Sequence, residues 1–265
     1  MSALQGVFER CRAEGRAALI GYLPVGYPDV EGSIAAVAAL AEAGADIVEV
    51  GMPYSDPVMD GPVIQRAATE ALAKGVHVDD VFRATAAVRG AGAVPVVMSY
   101  WNLVLGRGVD RYAADLAAAG GAGIITPDLI PEEAGEWTEA SERHGLDRIF
   151  LVAPSSTPER IATVTAACSG FVYTASTMGV TGTRGSVGSS APQLVARVRE
   201  ATDLPLCVGL GVSNGAQAAE VASFADGVIV GSALVATLLD RGRDEGLAAL
   251  RELTAELAEG VRGRA

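Results

Sequence analysis

Short, uninterrupted apolar runs recur along the chain, and between them apolar positions return at helical spacing. The runs are Ala18–Leu23, Asp46–Val50, Val94–Met98, Gly123–Thr126, Arg148–Val152, Phe171–Thr174, Leu206–Val208 and Gly227–Val230. Their apolar character does not alternate, so each predicts a strand buried on both faces. Strands of that kind, separated by helices, belong to a parallel sheet covered by helices. A local phrase repeats as well. Ala41-Glu42-Ala43-Gly44-Ala45-Asp46-Ile47-Val48 resembles Ala117-Ala118-Ala119-Gly120-Gly121-Ala122-Gly123-Ile124, with a looser version at Val221–Val228. Each reads as a helix end, a tight turn of small residues and a strand. Eight such units predict an α/β fold, the (β/α)8 TIM barrel. A doubly wound open sheet is the alternative. It calls for a Gly-rich dinucleotide turn after the first strand, which Gly21-Tyr22-Leu23-Pro24-Val25-Gly26 does not match. No linker divides residues 1–265, which read as a single barrel domain. Met1–Gly15, with charges at Glu9, Arg10, Arg12 and Glu14, reads as an extra N-terminal amphipathic helix, not a targeting segment.

Composition narrows the function. Half of the 265 residues are hydrophobic, yet no apolar run reaches the length of a membrane-spanning helix, and a cytoplasmic location is expected. The net charge of −12 disfavours nucleic acid and anionic membranes as partners. A small phosphorylated ligand stays open, because backbone N–H groups bind phosphate without basic side chains. Cys11, Cys168 and Cys207 are distant and odd in number, which suggests reduced, buried thiols. His77 and His144 have no metal-ligand spacing and read as helix-end surface residues. Lys74 is the only lysine and sits at a helix end before Gly75.

The chemistry-bearing pair is Glu49 and Asp60. Glu49 interrupts the second apolar run near its carboxyl end, and Asp60 lies on the following loop, rich in Pro, Gly and Asp. Two carboxylates so placed suit acid–base work. They equally suit a salt-bridged strand end and a turn former. A second site is predicted at the other end of the substrate. Barrels of this kind hold phosphate in the turns after strands seven and eight. Here those turns carry Gly211, and Gly231 with Ser232. The glycines admit close backbone approach, and Ser232 can cap the next helix or contact the phosphate. The Gly-rich segment Gly179–Gly188 is expected to form a lid that closes the third side with Thr181 and Gly182. Lys74 is poorly placed for a Schiff base, and two distant histidines cannot build a metal centre. Acid–base catalysis on a substrate with its own electron sink remains, and an indole ring protonated at C3 is such a sink.

These residues carry a family resemblance. Gly21–Pro28, Glu49–Pro57, Asp60–Gln65, Ser99-Tyr100-Trp101-Asn102, Pro127–Glu133, Gly179-Val180-Thr181-Gly182 and the two late strand ends resemble the tryptophan synthase alpha subunit over nearly the full chain. The resemblance implies cleavage of indole-3-glycerol phosphate to indole and glyceraldehyde 3-phosphate. It implies Glu49 as the general acid–base and Asp60 as the acceptor of the indole N–H. Tyr173 would lie near substrate and Glu49. Thr181 would be a lid residue that contacts Asp60, and Gly182, Gly211, Gly231 and Ser232 would form the phosphate site. Tyr22 and Ile64 would line the pocket, with Met98 available for its apolar slot. Tyr100 and Asp128 would stand at or near the pocket and the partner-facing loops. It further implies an α2β2 heterotetramer with a beta subunit, no cofactor in this chain, and pyridoxal phosphate in the partner. Tyr173, Tyr22 and Ile64 read equally as core residues, and Asp128 as a turn former. Three other readings are a standalone lyase of the same family, a sugar-phosphate isomerase or epimerase of the same fold, and a non-catalytic activator of a beta subunit.

Overall fold

A computed structural model describes residues 2–57, 59–175, 190–209 and 211–263. Among them nine strands form: β1 (Ala18–Pro24), β2 (Ile47–Gly51), β3 (Val94–Met98), β4 (Gly123–Ile125), β5 (Asp147–Ile149), β6 (Leu151–Val152), β7 (Val172–Ala175), β8 (Leu206–Gly209) and β9 (Gly227–Val230). All pairings are parallel, in the order β5-β4-β3-β2-β1-β9-β8-β7-β6. The two ends of that order are consecutive pieces of one segment, so the sheet closes on itself as an eight-stranded (β/α)8 barrel.

The fifth strand is thus not the continuous Arg148–Val152 run. It changes neighbour at Phe150: β5 pairs with β4, and β6 pairs with β7. The Phe150 amide donates to Cys168 Sγ at 3.4 Å instead of joining a ladder, while its carbonyl accepts from Tyr173 N at 3.1 Å.

Alternate residues of the strands point inward. Ala18, Ile20, Ile47, Val94, Val96, Ile125, Ile149, Cys207 and Ile229 form one interior cluster with Phe171. Leu4, Val7, Phe8 and Cys11 of the helix Ala3–Ala13 join that cluster, and the Phe8 and Phe171 rings meet edge to face at 5.9 Å. The N-terminal helix therefore plugs the amino-terminal end of the barrel. It starts in a capping box between Ser2 and Gln5. The second, outer cluster lies between strands and the surrounding helices, which include Val30–Glu42, Pro62–Ala73, Trp101–Arg107, Ser232–Leu238 and Arg243–Arg262. All three cysteines are buried free thiols. None of the described helices is long and apolar enough to cross a membrane.

Asp46, read from sequence as the first residue of the second strand, lies just before β2 and does different work. Arg16 Nη1 and Nη2 donate to its two oxygens at 2.7 and 2.8 Å, and Leu19 N donates at 3.0 Å. Burial alone would raise its pKa. The Arg16 and Leu19 hydrogen bonds overcome that and hold the carboxyl below its ordinary range. The pair fastens the chain after the plug to the base of β2. Arg16→Ala removes the main partner of this buried carboxylate, leaving only the Leu19 amide and a longer Arg10 contact at 3.5 Å, and is expected to cost about 3 kcal/mol at pH 7 in urea unfolding. Because Asp46 titrates low in the folded protein, its contribution is present above pH 3.8 and is lost as pH falls. The deficit of the variant should accordingly shrink below about pH 4.

Candidate active site

The carboxyl ends of the strands gather the predicted residues. Register pairs Tyr22 of β1 with Glu49 of β2, and Glu49 with Val96 of β3. Paired residues of adjacent parallel strands share a face, so Tyr22 and Glu49 both enter the barrel mouth. Glu49 is only 1% exposed, and its Oε1 has no hydrogen-bond partner among the described residues. Desolvation without compensation pushes its pKa from the ordinary 4.5 to about 8. Neither a salt bridge nor a backbone donor accounts for it, which removes the reading of Glu49 as a paired strand-end residue.

Asp60 closes the segment after β2, immediately before Gly61 caps the helix Pro62–Ala73. It is buried, and desolvation raises its carboxyl to about 6. The segment is held in several places. Gln65 Nε2 donates to the Asp60 carbonyl at 2.7 Å, Met59 N donates to Tyr100 Oη at 3.2 Å, and Tyr54 stacks on Tyr100 at 4.8 Å. Tyr100, at the start of the helix Trp101–Arg107, thus supports the Asp60 segment from β3's end. Asp128 accepts from Trp101 N at 2.9 and 3.1 Å, and so joins the ends of β4 and β3.

Tyr22 is the residue where the two carboxylates meet. Burial, then Asp60 and Glu49, push its phenol well above the ordinary range. Tyr173 of β7 feels the same field: burial first, then Glu49, raise its phenol. Its hydroxyl lies 2.7 Å from where a Cβ of Gly209 would stand, across β8. The far wall is Ile64, in the first turn of its helix and 3% exposed. A Cβ on Gly231 would stand 3.6 Å from Tyr22 and 3.7 Å from Ile64 Cδ1, so the β9 turn, the β1 tyrosine and the Ile64 helix converge. Met98, at the end of β3, is partly buried against both apolar clusters.

Gly231 and Ser232 begin the helix Ser232–Leu238. Ser232 is its first residue and makes no capping hydrogen bond; its buried Oγ has no partner among the described residues. Of the two roles open from sequence, capping is not the one it takes. Gly211, past β8, has φ 70°, a left-handed backbone that a side chain would strain. Thr181, Gly182 and the lid expected over Gly179–Gly188 lie outside the described residues.

Two contributors had no assigned role in the sequence. Gly51 ends β2, and a Cβ there would stand 2.5 Å from the Tyr22 ring. A glycine inside an apolar strand is the available signal of such close approach. Tyr54 supports the Asp60 segment through its stack on Tyr100. Lys74 stands away from this mouth, at the far end of its helix, with Nζ donating to the Pro28 carbonyl at 2.6 Å. His144 pairs with Asp110 at 2.9 Å, and His77 precedes a surface helix. Among the described residues no three His, Cys, Asp or Glu side chains converge as metal ligands would.

A (β/α)8 barrel that gathers two desolvated carboxylates at the carboxyl ends of its strands has the architecture of a barrel enzyme. The tryptophan synthase alpha chain model matches residues 8–262, and the chain belongs to that family. It is a lyase family, whose reaction cleaves indole-3-glycerol phosphate to indole and glyceraldehyde 3-phosphate. The alpha chain of Mycolicibacterium paratuberculosis is 63% identical over 264 residues, covering 100% of this chain and 96% of the relative. That of Nocardia farcinica is 64% identical over 261 residues, covering 98% and 96%. Among solved structures, Mycobacterium tuberculosis tryptophan synthase superposes with a TM-score of 0.94 at 62% identity, covering 98% of each chain. The Legionella pneumophila alpha chain gives 0.88 at 30% identity, covering 98% and 97%.

Ionisation of Glu49 should be visible in stability. The folded protein holds its proton up to about pH 8, the unfolded chain only to about 4.5. Between these values the native state binds more protons, so stability falls as pH rises. Glu49→Gln removes the penalty. It is expected to be more stable than the wild type at pH 9 by on the order of 4 kcal/mol, the gap closing by pH 4.5. Coincident unfolding curves at pH 9 would show that the carboxylate ionises there freely.

Proposed function

We propose that Glu49 and Asp60 carry the cleavage of indole-3-glycerol phosphate in this chain by divided acid–base roles. The observation that carries the reading is the unpartnered, desolvated Glu49 beside an Asp60 of lower pKa. Between about pH 6 and 8 Glu49 keeps its proton while Asp60 is ionised, the division that acid–base catalysis by a carboxylate pair needs. Glu49 donates its proton to indole C3, which turns the ring into an electrophilic indolenine. The Asp60 carboxylate accepts a hydrogen bond from the indole N–H and stabilises the positive charge. The Glu49 carboxylate then takes the proton of the glycerol hydroxyl next to the scissile bond. The C–C bond breaks, its electron pair restores the aromatic ring, the hydroxyl carbon becomes the aldehyde, and Glu49 is again protonated.

Tyr22, Ile64, Tyr100 and Tyr173 would bound the indole and glycerol portions. Gly211, Gly231 and the free Ser232 hydroxyl would receive the phosphate, joined by Gly182, with Thr181 closing on Asp60. The partner is a tryptophan synthase beta subunit in an α2β2 assembly, supported by the resemblance to the tryptophan synthase of Mycobacterium tuberculosis. Pyridoxal phosphate belongs to that partner, and a biosynthetic role of this kind places the protein in the cytoplasm.

Turnover of indole-3-glycerol phosphate tests the assignment. Its kcat/KM should rise through about pH 6 and fall through about pH 8. Glu49→Gln should lose on the order of 10³-fold or more in kcat and Asp60→Asn about 10²-fold, both folded. A Glu49→Gln enzyme that keeps most of its turnover would remove Glu49 from the mechanism. Cleavage should also be slow for the chain alone and rise at least tenfold when a beta subunit is added, because the Asp60 segment and the residues around Thr181 must be set together. Equal rates with and without the partner would point to a standalone lyase.

A further inference from the structure

The proposed substrate has two anchors on two different helices: the Ile64 wall on Pro62–Ala73, and Ser232 at the head of Ser232–Leu238. Past the tail of the second helix, Asp240 has φ 57°, the one left-handed residue besides glycine among the described residues. Glycine or asparagine takes that conformation more readily. The Asp240 carboxylate also follows a helix carboxyl end, where negative charge is disfavoured. Aspartate is among the few residues besides glycine that tolerate that backbone, and the charge at the helix end meets a partner in Arg66.

Arg66 Nη1 and Nη2 donate to Asp240 Oδ2 and Oδ1 at 2.8 and 2.5 Å, a two-pronged contact. Its Nε donates to Glu70 Oε1 at 3.2 Å. Glu70 lies 4.0 Å from Lys74, whose Nζ reaches the Pro28 carbonyl and sits 5.9 Å over the Tyr27 ring. One line of charge therefore joins the loop after β1, the helix behind Asp60, and the turn after the helix of Ser232. The Arg66 and Asp240 side chains are 48% and 70% exposed, where an ion pair adds little to stability. What the pair does is geometric: it ties the turn after Ser232–Leu238 to the helix Pro62–Ala73.

We infer that Arg66 and Asp240 are positioning residues, a clasp that fixes the spacing between the Ile64 helix and the Ser232 helix and so the length of ligand that can touch both. The inference rests on the proposed function for the identity of that ligand. Asp240→Gly separates positioning from stability, because glycine relieves the backbone while the carboxylate is lost. The full chain should keep or raise its Tm. Bound to a beta subunit, its KM for indole-3-glycerol phosphate should rise about fivefold with kcat and the pH profile unchanged. The inhibition constant of glyceraldehyde 3-phosphate, which lacks the indole, should stay within twofold. Amide hydrogen exchange over residues 62–67 should quicken about fivefold. Arg66→Ala should raise KM equally, and the double variant should add nothing further. Unchanged KM and unchanged exchange in Asp240→Gly would overturn the clasp. A wild-type complex that does not cleave the substrate would overturn the functional reading alone, and the exchange rates would then decide the clasp by themselves.

Discussion

A carboxyl group placed in the wall of an apolar barrel, with no cation paired to it among the described residues, sets the terms for the rest of the site. Water would stabilise ionised Glu49, and the packed mouth excludes water. The group therefore keeps its proton near neutral pH. Every neighbour is consistent with that state. Tyr22 and Val96 flank Glu49 on the neighbouring strands, the Tyr173 phenol feels its charge, and none of the three supplies a cation. Asp60 arrives from outside the sheet, on a segment that is less dry, and so ionises first.

The two ends of the barrel are built by opposite electrostatic choices. At the amino-terminal end Asp46 is buried too, but Arg16 and a backbone N–H meet it, and it behaves as a fastener. At the carboxyl-terminal end Glu49 Oε1 has no hydrogen-bond partner among the described residues, and desolvation raises both Glu49 and Asp60. Between them lies the interior cluster closed by Leu4, Val7, Phe8 and Cys11, which keeps the reactive end rigid from below. A small residue then shapes the mouth: Gly51 leaves the space that the Tyr22 ring occupies, where a Cβ would stand 2.5 Å from it.

Much of this was legible along the chain because barrel strands are buried on both faces and write themselves as apolar runs. Glu49 stood out for the same reason, as the one charge near the end of such a run. The break of the fifth strand was not legible, since it depends on the Cys168 thiol taking the Phe150 amide, a contact between residues far apart in sequence. The work of Asp46 depends on Arg16, thirty positions away, and could not be read from its own surroundings. Gly51 was visible only as part of a motif, because its purpose is the space it leaves for another strand's tyrosine. Ser232 had two roles open from its position at a helix start, and whether its hydroxyl caps that helix is a matter of side-chain placement that position alone does not fix.

The seam at Phe150 bears on how the barrel comes together. A cylinder made by joining the far edges of an open sheet ordinarily requires two distant chain segments to find each other, and the entropy of that closure grows with the loop between them. Here the two edges, β5 and β6, are separated by one residue. The pairing of distant segments falls instead between β1 and β9, where Ala18 stands opposite Gly227. The barrel is in that sense a ribbon joined through the covalent chain at Phe150 and drawn round by one pairing, that of the first strand with the ninth.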